Sequence, residues 1–430
     1  MPRIAFVGAG SVEFTKNLLG DILSFPELAD AEIALHDISQ ERLEVGEAMA
    51  RYTAKALGAS PRIEAHLDRR RALDGADHVI NMIQVGGHTA TKLDFEIPAR
   101  YGLPQTIADT LGVGGIFRAL RTIPVMLGIG ADMAELCPDA WLLNYTNPMA
   151  MLCWATYEGS PTKQIVGLCH SVQYTTDQLA ELVGVPFEEV SFLGAGVNHQ
   201  AFILRFERNG ENLYPRLDEA IERDPELRRR VRVEMYRRLG YFPTESSEHS
   251  AEYLPWFMHD PAAIEQFRIP VGEYVRRSEE NLAEYEQMKT ALETGQELEI
   301  ERSNEYASLI IHSMLTGQER VIYGNVRNDG LIPNLLEGAC VEVPCLVDRN
   351  GVQPTAVGPL PPQLAALNRT FLNVCELTVR AALEGSREHV HHAALLDPAA
   401  AATLSPEQTH DMVEEMIAAH GDALPVGIRD

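Results

Sequence analysis

Three short loops in this 430-residue chain carry the side chains best suited to chemistry. They read Asn144-Tyr145-Thr146-Asn147-Pro148, Gly167-Leu168-Cys169-His170-Ser171-Val172-Gln173 and Gly194-Ala195-Gly196-Val197-Asn198-His199. Cys169 closes an apolar run and faces the start of the next helix. A thiol there is expected to lose its proton easily and to serve as a metal ligand or a nucleophile. His199 ends another strand of the same region and can bring an imidazole to the same ion. Two protein ligands with open positions would suit a Lewis acid that polarises a carbonyl. A spacing of 30 residues is no local metal motif, so a buried apolar cysteine and a satisfied loop histidine are the plain alternative. Asn147 either binds hydroxyls, since an amide both donates and accepts, or belongs to an ordinary Asn-Pro turn.

A second signal lies at the start of the chain. Arg3 to Val7 is a short apolar run that ends in Gly8-Ala9-Gly10-Ser11 and leads into a helix. Such a turn lets a pyrophosphate lie against backbone N–H groups at a helix N-terminus. Glu13 stands where the usual fingerprint has its third glycine. Asp37, at the end of the next strand, is placed to accept hydrogen bonds from ribose hydroxyls, which favours NAD over NADP. Gly8, Gly10, Ser11 and Asp37 are therefore the candidate cofactor set, and a purely structural turn is the alternative.

The elements that would hold these loops alternate between strand and helix over the first 200 or so residues, the pattern of a parallel sheet with covering helices. Strands are expected at Arg3 to Val7, Ala31 to Leu35, Arg62 to Leu67, His78 to Ile83, Ala140 to Leu143 and Ile165 to Leu168. Helices are expected over Phe14 to Phe25 and Glu41 to Leu57. Beyond about Phe192 the pattern changes. Ser191 to Val197 and Ala201 to Phe206 read as strands, and Asp218 to Arg238 as a charged, exposed helix. Leu364 to Leu383 reads as an amphipathic helix. The expected fold is α/β: a Rossmann-like parallel sheet over residues 1–190, then an α+β domain over 191–430, as in lactate and malate dehydrogenases. The second domain would carry substrate, metal and oligomer contacts.

Composition sets the outer limits. Sixty-two acidic against 36 basic side chains give a formal charge of −26, which opposes nucleic acid and anionic membranes as partners. No stretch reads as the roughly 20 apolar residues of a bilayer span, and Met1-Pro2-Arg3 runs straight into a strand, so a cytoplasmic protein is expected. Six cysteines without CxxC spacing indicate free thiols.

Taken together, GAGS at 8–11, GGIFRALRTIP at 114–124, TNP at 146–148, CHSVQ at 169–173, GVNH at 196–199 and SSEHSAEY at 246–253 resemble glycoside hydrolase family 4. The resemblance runs from residue 2 to roughly 380, with the motifs in the family's order. It implies an NAD- and manganese-dependent glycosidase, an exception to two-carboxylate hydrolysis. Sugar C3 would be oxidised, the C2 proton removed, the glycosidic oxygen expelled from C1, and the cofactor regenerated. Carried over by position, Cys169 and His199 match metal ligands, and Asn147 and Asn198 match sugar contacts. His170 matches the residue that assists the leaving group, and Tyr253 the C2 base. A phenol of ordinary pKa would need a metal or a cation to act as a base. Arg118, in what reads as a GGIFRALR loop, would aid the substrate or that tyrosine. His170-Ser171-Val172-Gln173 resembles α-galactosidases acting on unphosphorylated sugars, with α-glucosidase or α-galacturonidase as near alternatives. A homodimer or homotetramer is implied, with helices after Leu364 as candidate interface. The rival of another class is an NAD-dependent 2-hydroxyacid dehydrogenase, for which no convincing Asp–His pair with paired arginines is found. A non-catalytic NAD sensor would not need Cys169, His170, His199 and Tyr253 together.

Overall fold

Four consecutive buried residues, Ile4, Ala5, Phe6 and Val7, identify the first strand as central, because a strand covered on both faces has no polar side. In the computed structural model, which describes residues 1–303 and 305–430, that strand is β1 (Arg3–Val7). Five others join it in parallel: β2 (Glu32–His36), β3 (Arg62–His66), β4 (His78–Asn81), β5 (Trp141–Asn144) and β6 (Ile165–Leu168). Their order across the sheet is β3-β2-β1-β4-β5-β6, all parallel. The expected Rossmann-like half is present, and its strand ends agree with expectation to within a residue or two.

The remaining strands are β7 (Ser191–Val197), β8 (Gln200–Arg208), β9 (Glu211–Asn212), β10 (Phe242–Pro243), β11 (Arg320–Arg327), β12 (Cys340–Asp348) and β13 (Gly351–Pro354). β11 lies antiparallel to β6, and β12, β7, β8 and β10 follow it. One sheet thus runs unbroken from the nucleotide half into the second half, and the carboxyl ends of β1, β5 and β6 face the hairpin end of β7 and β8. Helix Pro362–Glu384 covers the join.

Two segments differ from the sequence reading. GGIFRALR is not a loop: Gly112–Leu136 is a 25-residue helix, and its Gly114 and Gly115 stand where a Cβ would strike Ala108 and Thr110 at 2.8 Å. Those glycines serve close packing inside a helix. That helix is also long and apolar enough to cross a membrane, but 78% of its most apolar window is buried inside the protein, which makes it a core helix. The charged stretch from Asp218 to Arg238 is two helices, Tyr214–Arg223 and Val231–Leu239, with a short 3-10 turn between them. Pro225 has no N–H for the first helix and disfavours helical backbone at Asp224, which instead caps the turn.

The C-terminal helix Pro406–His420 is fastened to the first half by buried charge. Arg121 donates to both Asp94 oxygens, at 3.1 and 2.6 Å, and its side chain is 0% exposed. His420 lies 3.0 Å from the same carboxylate and stacks on Phe117. Replacing Asp94 by alanine leaves the Arg121 guanidinium buried without its anion. We expect a loss of about 3–5 kcal/mol, read as a lowered midpoint in chemical unfolding. A loss below about 1 kcal/mol, the size seen for exposed pairs, would show that Arg121 finds water or another partner.

Candidate active site

Positive φ at a residue with a Cβ is costly and persists only where the surroundings enforce it. Among the described residues, five non-glycine residues have positive φ, and three of these, Ala108, His199 and Glu245, converge on one place. They hold the loop before helix Gly112–Leu136, the turn between β7 and β8, and the loop before helix Ser247–Glu252. β5 and β6 end at the same place, bringing Asn147 and Cys169.

Cys169 Sγ stands 3.5 Å from His199 Nε2, and Glu245 Oε2 stands 3.8 Å from the same nitrogen. Potential ligand atoms of Cys169, His199 and Glu245 all lie within 4.8 Å of one another, as do those of Asp109, His199 and His249. Thr110 Oγ1 is 2.8 Å from His199 Nδ1, which orients the ring so that Nε2 faces the thiol. Thiol, imidazole and carboxylate form a donor set suited to a divalent transition ion, so these residues fit the metal that the sequence suggests. Glu245 offers a third donor that the sequence reading did not name.

The expected low-pKa thiolate is not what this pocket makes of Cys169 by itself. Burial, with Glu245 and Glu342 nearby, pushes the thiol up to about 12. The helix terminus is outweighed because the sulfur is desolvated and faces acids. His170 behaves otherwise. Its side chain is 55% exposed, and its contact with Glu305, at 3.3 Å, outweighs partial burial and raises the imidazole to about 9. Protonated at neutral pH, His170 is equipped to give a proton to a leaving oxygen.

Buried polar atoms without partners mark where a ligand would complete the structure. Asn147 Oδ1, Asn198 Oδ1, Glu342 Oε2 and the Tyr253 hydroxyl have no hydrogen-bond partner among the described residues. Asn147 donates to Asp109 at 3.1 Å, and Asn198 Nδ2 reaches Glu342 at 3.5 Å. Burial lifts the Glu342 carboxyl to about 7. Both asparagines therefore keep a free carbonyl oxygen toward the site, as a hydroxyl-binding role requires.

Arg118, expected to aid the substrate or Tyr253, makes no contact with Tyr253 among the described residues. Burial, followed by the charges of Asp109, Glu252 and Glu245, drives the Tyr253 phenol well above its usual range. Arg118 instead donates to the Tyr274 hydroxyl at 2.7 Å, lies over that ring, and donates to the Asn147 carbonyl at 3.1 Å. Tyr274, absent from the sequence reading, is the phenol that has a cation beside it.

One buried carboxylate fixes this geometry. Glu252 accepts from the backbone N–H groups of Thr106, Ile107 and Ala108. That clamp presents the next two residues: Asp109 toward His249 (3.4 Å) and Asn147, and Thr110 toward His199. Burial would raise Asp109, yet the His249 contact and the charges of His249, Arg118 and His199 hold it well below the usual range.

The glycine turn lies on the same sheet edge. Gly8 has φ +95°, and a Cβ there would meet the Met82 carbonyl group at 3.0 Å. Gly10 donates to Asp37 Oδ2 at 2.9 Å, where a Cβ on Gly10 would stand 2.5 Å from that oxygen. Ser39 N–H holds the other Asp37 oxygen, which leaves lone pairs for further donors. Ser11 makes no side-chain cap on helix Val12–Leu23 among the described residues, so first-turn N–H groups remain for an anion. The residues present fit a dinucleotide.

Residues 3–185 match the sequence model of the family 4 glycosyl hydrolases, and residues 194–400 match that of the family's C-terminal domain. The chain belongs to glycoside hydrolase family 4. It is 45% identical over 430 residues to an alpha-galactosidase of Bacillus subtilis (strain 168), covering 99% of each chain. It is 38% identical to an alpha-galactosidase of Rhizobium meliloti (strain 1021), over 98% of this chain and 89% of that one. An alpha-glucosidase of Erwinia rhapontici is 31% identical, over 92% and 93% of the two chains. The 6-phospho-beta glucosidase of Thermotoga maritima, solved with manganese, NAD+ and glucose-6-phosphate, shares the fold at a TM-score of 0.81, with 21% identity and 99% of each chain covered. Malate dehydrogenase from Plasmodium falciparum, solved with NADH, shares it more loosely, with a TM-score of 0.51 and 13% identity over 89% of this chain and 99% of that one.

Glu252→Ala removes the acceptor of three buried N–H groups, each worth about 1–3 kcal/mol when left unmet. We expect a lower melting temperature and a loss of divalent-ion affinity of tenfold or more, because Asp109 and Thr110 lose their register. Unchanged affinity in a folded variant would show that the clamp does not position the site.

Proposed function

We propose that this glycosidase hydrolyses unphosphorylated α-galactosides with the help of NAD and a divalent ion such as manganese. The observation that carries the sugar assignment is the 45% identity, over essentially the whole chain, to an alpha-galactosidase. His170-Ser171-Val172-Gln173, following Cys169, agrees with it.

In this reading Gly8, Gly10, Ser11 and Asp37 hold the dinucleotide, and Cys169 and His199, joined by Glu245, hold the ion. When bound, the two supply a reversible hydride acceptor and a Lewis acid. The chain's own groups do the rest. The free carbonyl oxygens of Asn147 and Asn198 accept from sugar hydroxyls and fix the ring. Tyr274, whose hydroxyl accepts a hydrogen bond from the Arg118 guanidinium, takes the proton from C2. Tyr253, sealed among acids, forms the wall of the sugar pocket. His170, held protonated by Glu305, gives its proton to the departing glycosidic oxygen and recovers one from the water that adds later. Tyr274 gives a proton back to C2 as water adds, and a dinucleotide that restored the hydride it had removed would end unchanged, so the net reaction would be hydrolysis.

A nitrophenyl α-galactoside should be cleaved only when NAD+ and Mn2+ are both supplied, with no net NADH. Stoichiometric NADH would favour a dehydrogenase, and faster cleavage of the α-glucoside or α-galacturonide would move the sugar assignment. Cys169→Ser should abolish Mn2+-dependent turnover yet keep NAD binding by fluorescence titration, and full activity in that variant would overturn the ligand assignment. Tyr274→Phe should lower kcat by about 10²–10⁴, the range for losing a general base, and Tyr253→Phe by far less. The opposite ranking would return the proton-transfer role to Tyr253.

A further inference from the structure

Two helices near the end of the chain, Arg387–Leu396 and Pro406–His420, bring two imidazoles and a carboxylate together outside the sites described above. Side-chain caps fix where both helices start. Ser386 accepts from the His389 N–H, and Ser405 forms a capping box with Gln408. The helices pack against each other, with Val390 and Ala394 in the buried stripe of one and Thr409 and Val413 in that of the other. His391 follows Val390, and His410 and Glu414 follow Thr409 and Val413, so all three flank the buried stripes. Four residues apart, His410 and Glu414 share one face of their helix.

His391 Nε2 stands 2.9 Å from Glu414 Oε1, and the His391 and His410 rings stack with centroids 4.6 Å apart. One potential ligand atom from each of the three residues lies within 4.8 Å of the others. Ligand atoms on a tetrahedral zinc ion lie about 3.3 Å apart, so closing the set takes a movement of about 1–1.5 Å. His410 can supply it by turning about its own bonds, because its side chain is 61% exposed. Asp411 lies 3.6 Å from His410 Nδ1. A carboxylate on that side leaves Nε2 to face an ion and makes the ring a better donor.

Arg387 also donates to both Glu414 oxygens, so part of the cluster is an ion pair. An ion pair alone does not account for two imidazoles beside the same carboxylate. With Arg387 present, protonating both rings would set three cations around one anion. Neutral imidazoles avoid that, and each then offers a lone pair. Glu414 also keeps lone pairs, since a carboxylate accepts at about four positions. Two imidazoles and a carboxylate suit zinc better than calcium or magnesium, which take oxygen ligands. The formal charge of −26 further draws cations to this protein.

We propose that His391, His410 and Glu414 form a second metal site, a zinc site that bridges these two helices and is separate from the ion at Cys169 and His199. Water completes the shell around the three protein ligands. His410 and Glu414 lie beyond residue 400, where the match to the family's C-terminal domain ends, so the site joins the C-terminal segment to that domain. Its role is to fasten helix Pro406–His420, which places His420 on the Asp94–Arg121 pair.

The test titrates Zn2+ into the full chain against a chromophoric chelator, in the Cys169→Ser form so that the active-site ion does not dominate the count. The same form is compared after His410→Ala and after His391→Asn. Cys169→Ser alone should bind one zinc ion per chain that is lost, or held at least tenfold more weakly, in each histidine variant. Zinc should also raise its melting temperature, and raise that of the histidine variants by less. His410→Ala changes an exposed side chain, so a folding defect in His391→Asn would not obscure the outcome. The same zinc count and affinity in all three forms would overturn the site, as would a Cys169→Ser form that binds no zinc. Either result would leave the active-site assignment standing.

Discussion

Buried carboxylates and imidazoles crowd around His199 together with the half-buried Cys169 thiol and Glu245 carboxylate, and the fold has to offset the cost of desolvating them. It does so partly by opposing charge and partly by protonation. Asp109 and Glu245 are held as anions by the imidazoles and by Arg118 or Arg232, while Glu342, Glu252 and Cys169 are pushed toward their neutral forms. A divalent ion among Cys169, His199 and Glu245 would favour the thiolate and draw the anions together. Such a concentration of donors makes little sense as a stabilising core. It is the arrangement expected where a cation and a substrate complete the structure.

Backbone strain at Ala108, His199 and Glu245 follows from the same demand. Each residue sits where the chain turns sharply at the site, and the first two are held from behind. Glu252 clamps the first through three N–H groups, and the β7–β8 hairpin fixes the second. The sheet that runs on from β6 into β11 keeps these loops beside the glycine turn, so the candidate dinucleotide turn and the candidate metal ligands share one edge. Arg118 ties that edge to the loop after β5, donating to the Asn147 carbonyl and to the Tyr274 hydroxyl.

Much of this was legible in the sequence, for definite reasons. β1, β4 and β6 are short apolar runs followed by loops, and the loop after a parallel strand is where ligands gather. Cys169, His199, Asn147 and Asn198 were visible there, and the structure does bring them to one place. Residues acting across the chain were not visible: Glu252 reaches Thr106 over 146 positions, and Arg118 reaches Tyr274 over 156. A signal existed for Glu245, His249 and Glu252, because Thr244 to Phe257 is too polar for a core segment yet repeats its His and Glu near helical spacing. Two glycines made GGIFRALR look like a loop, since close packing against Ala108 and Thr110 leaves no trace in sequence. The helix-terminus argument for Cys169 failed because it took no account of desolvation or of the acids facing the sulfur.

A broken C2–H bond is the event that separates this chemistry from direct displacement at C1. Cleavage of an α-galactoside in D2O, followed by mass spectrometry and NMR of the released galactose, reads it directly. Elimination and water addition predict one deuterium at C2 of the product. Galactose with only protium at C2 would mean direct displacement, and would contradict both a redox role for the dinucleotide turn and a proton-transfer role for Tyr274.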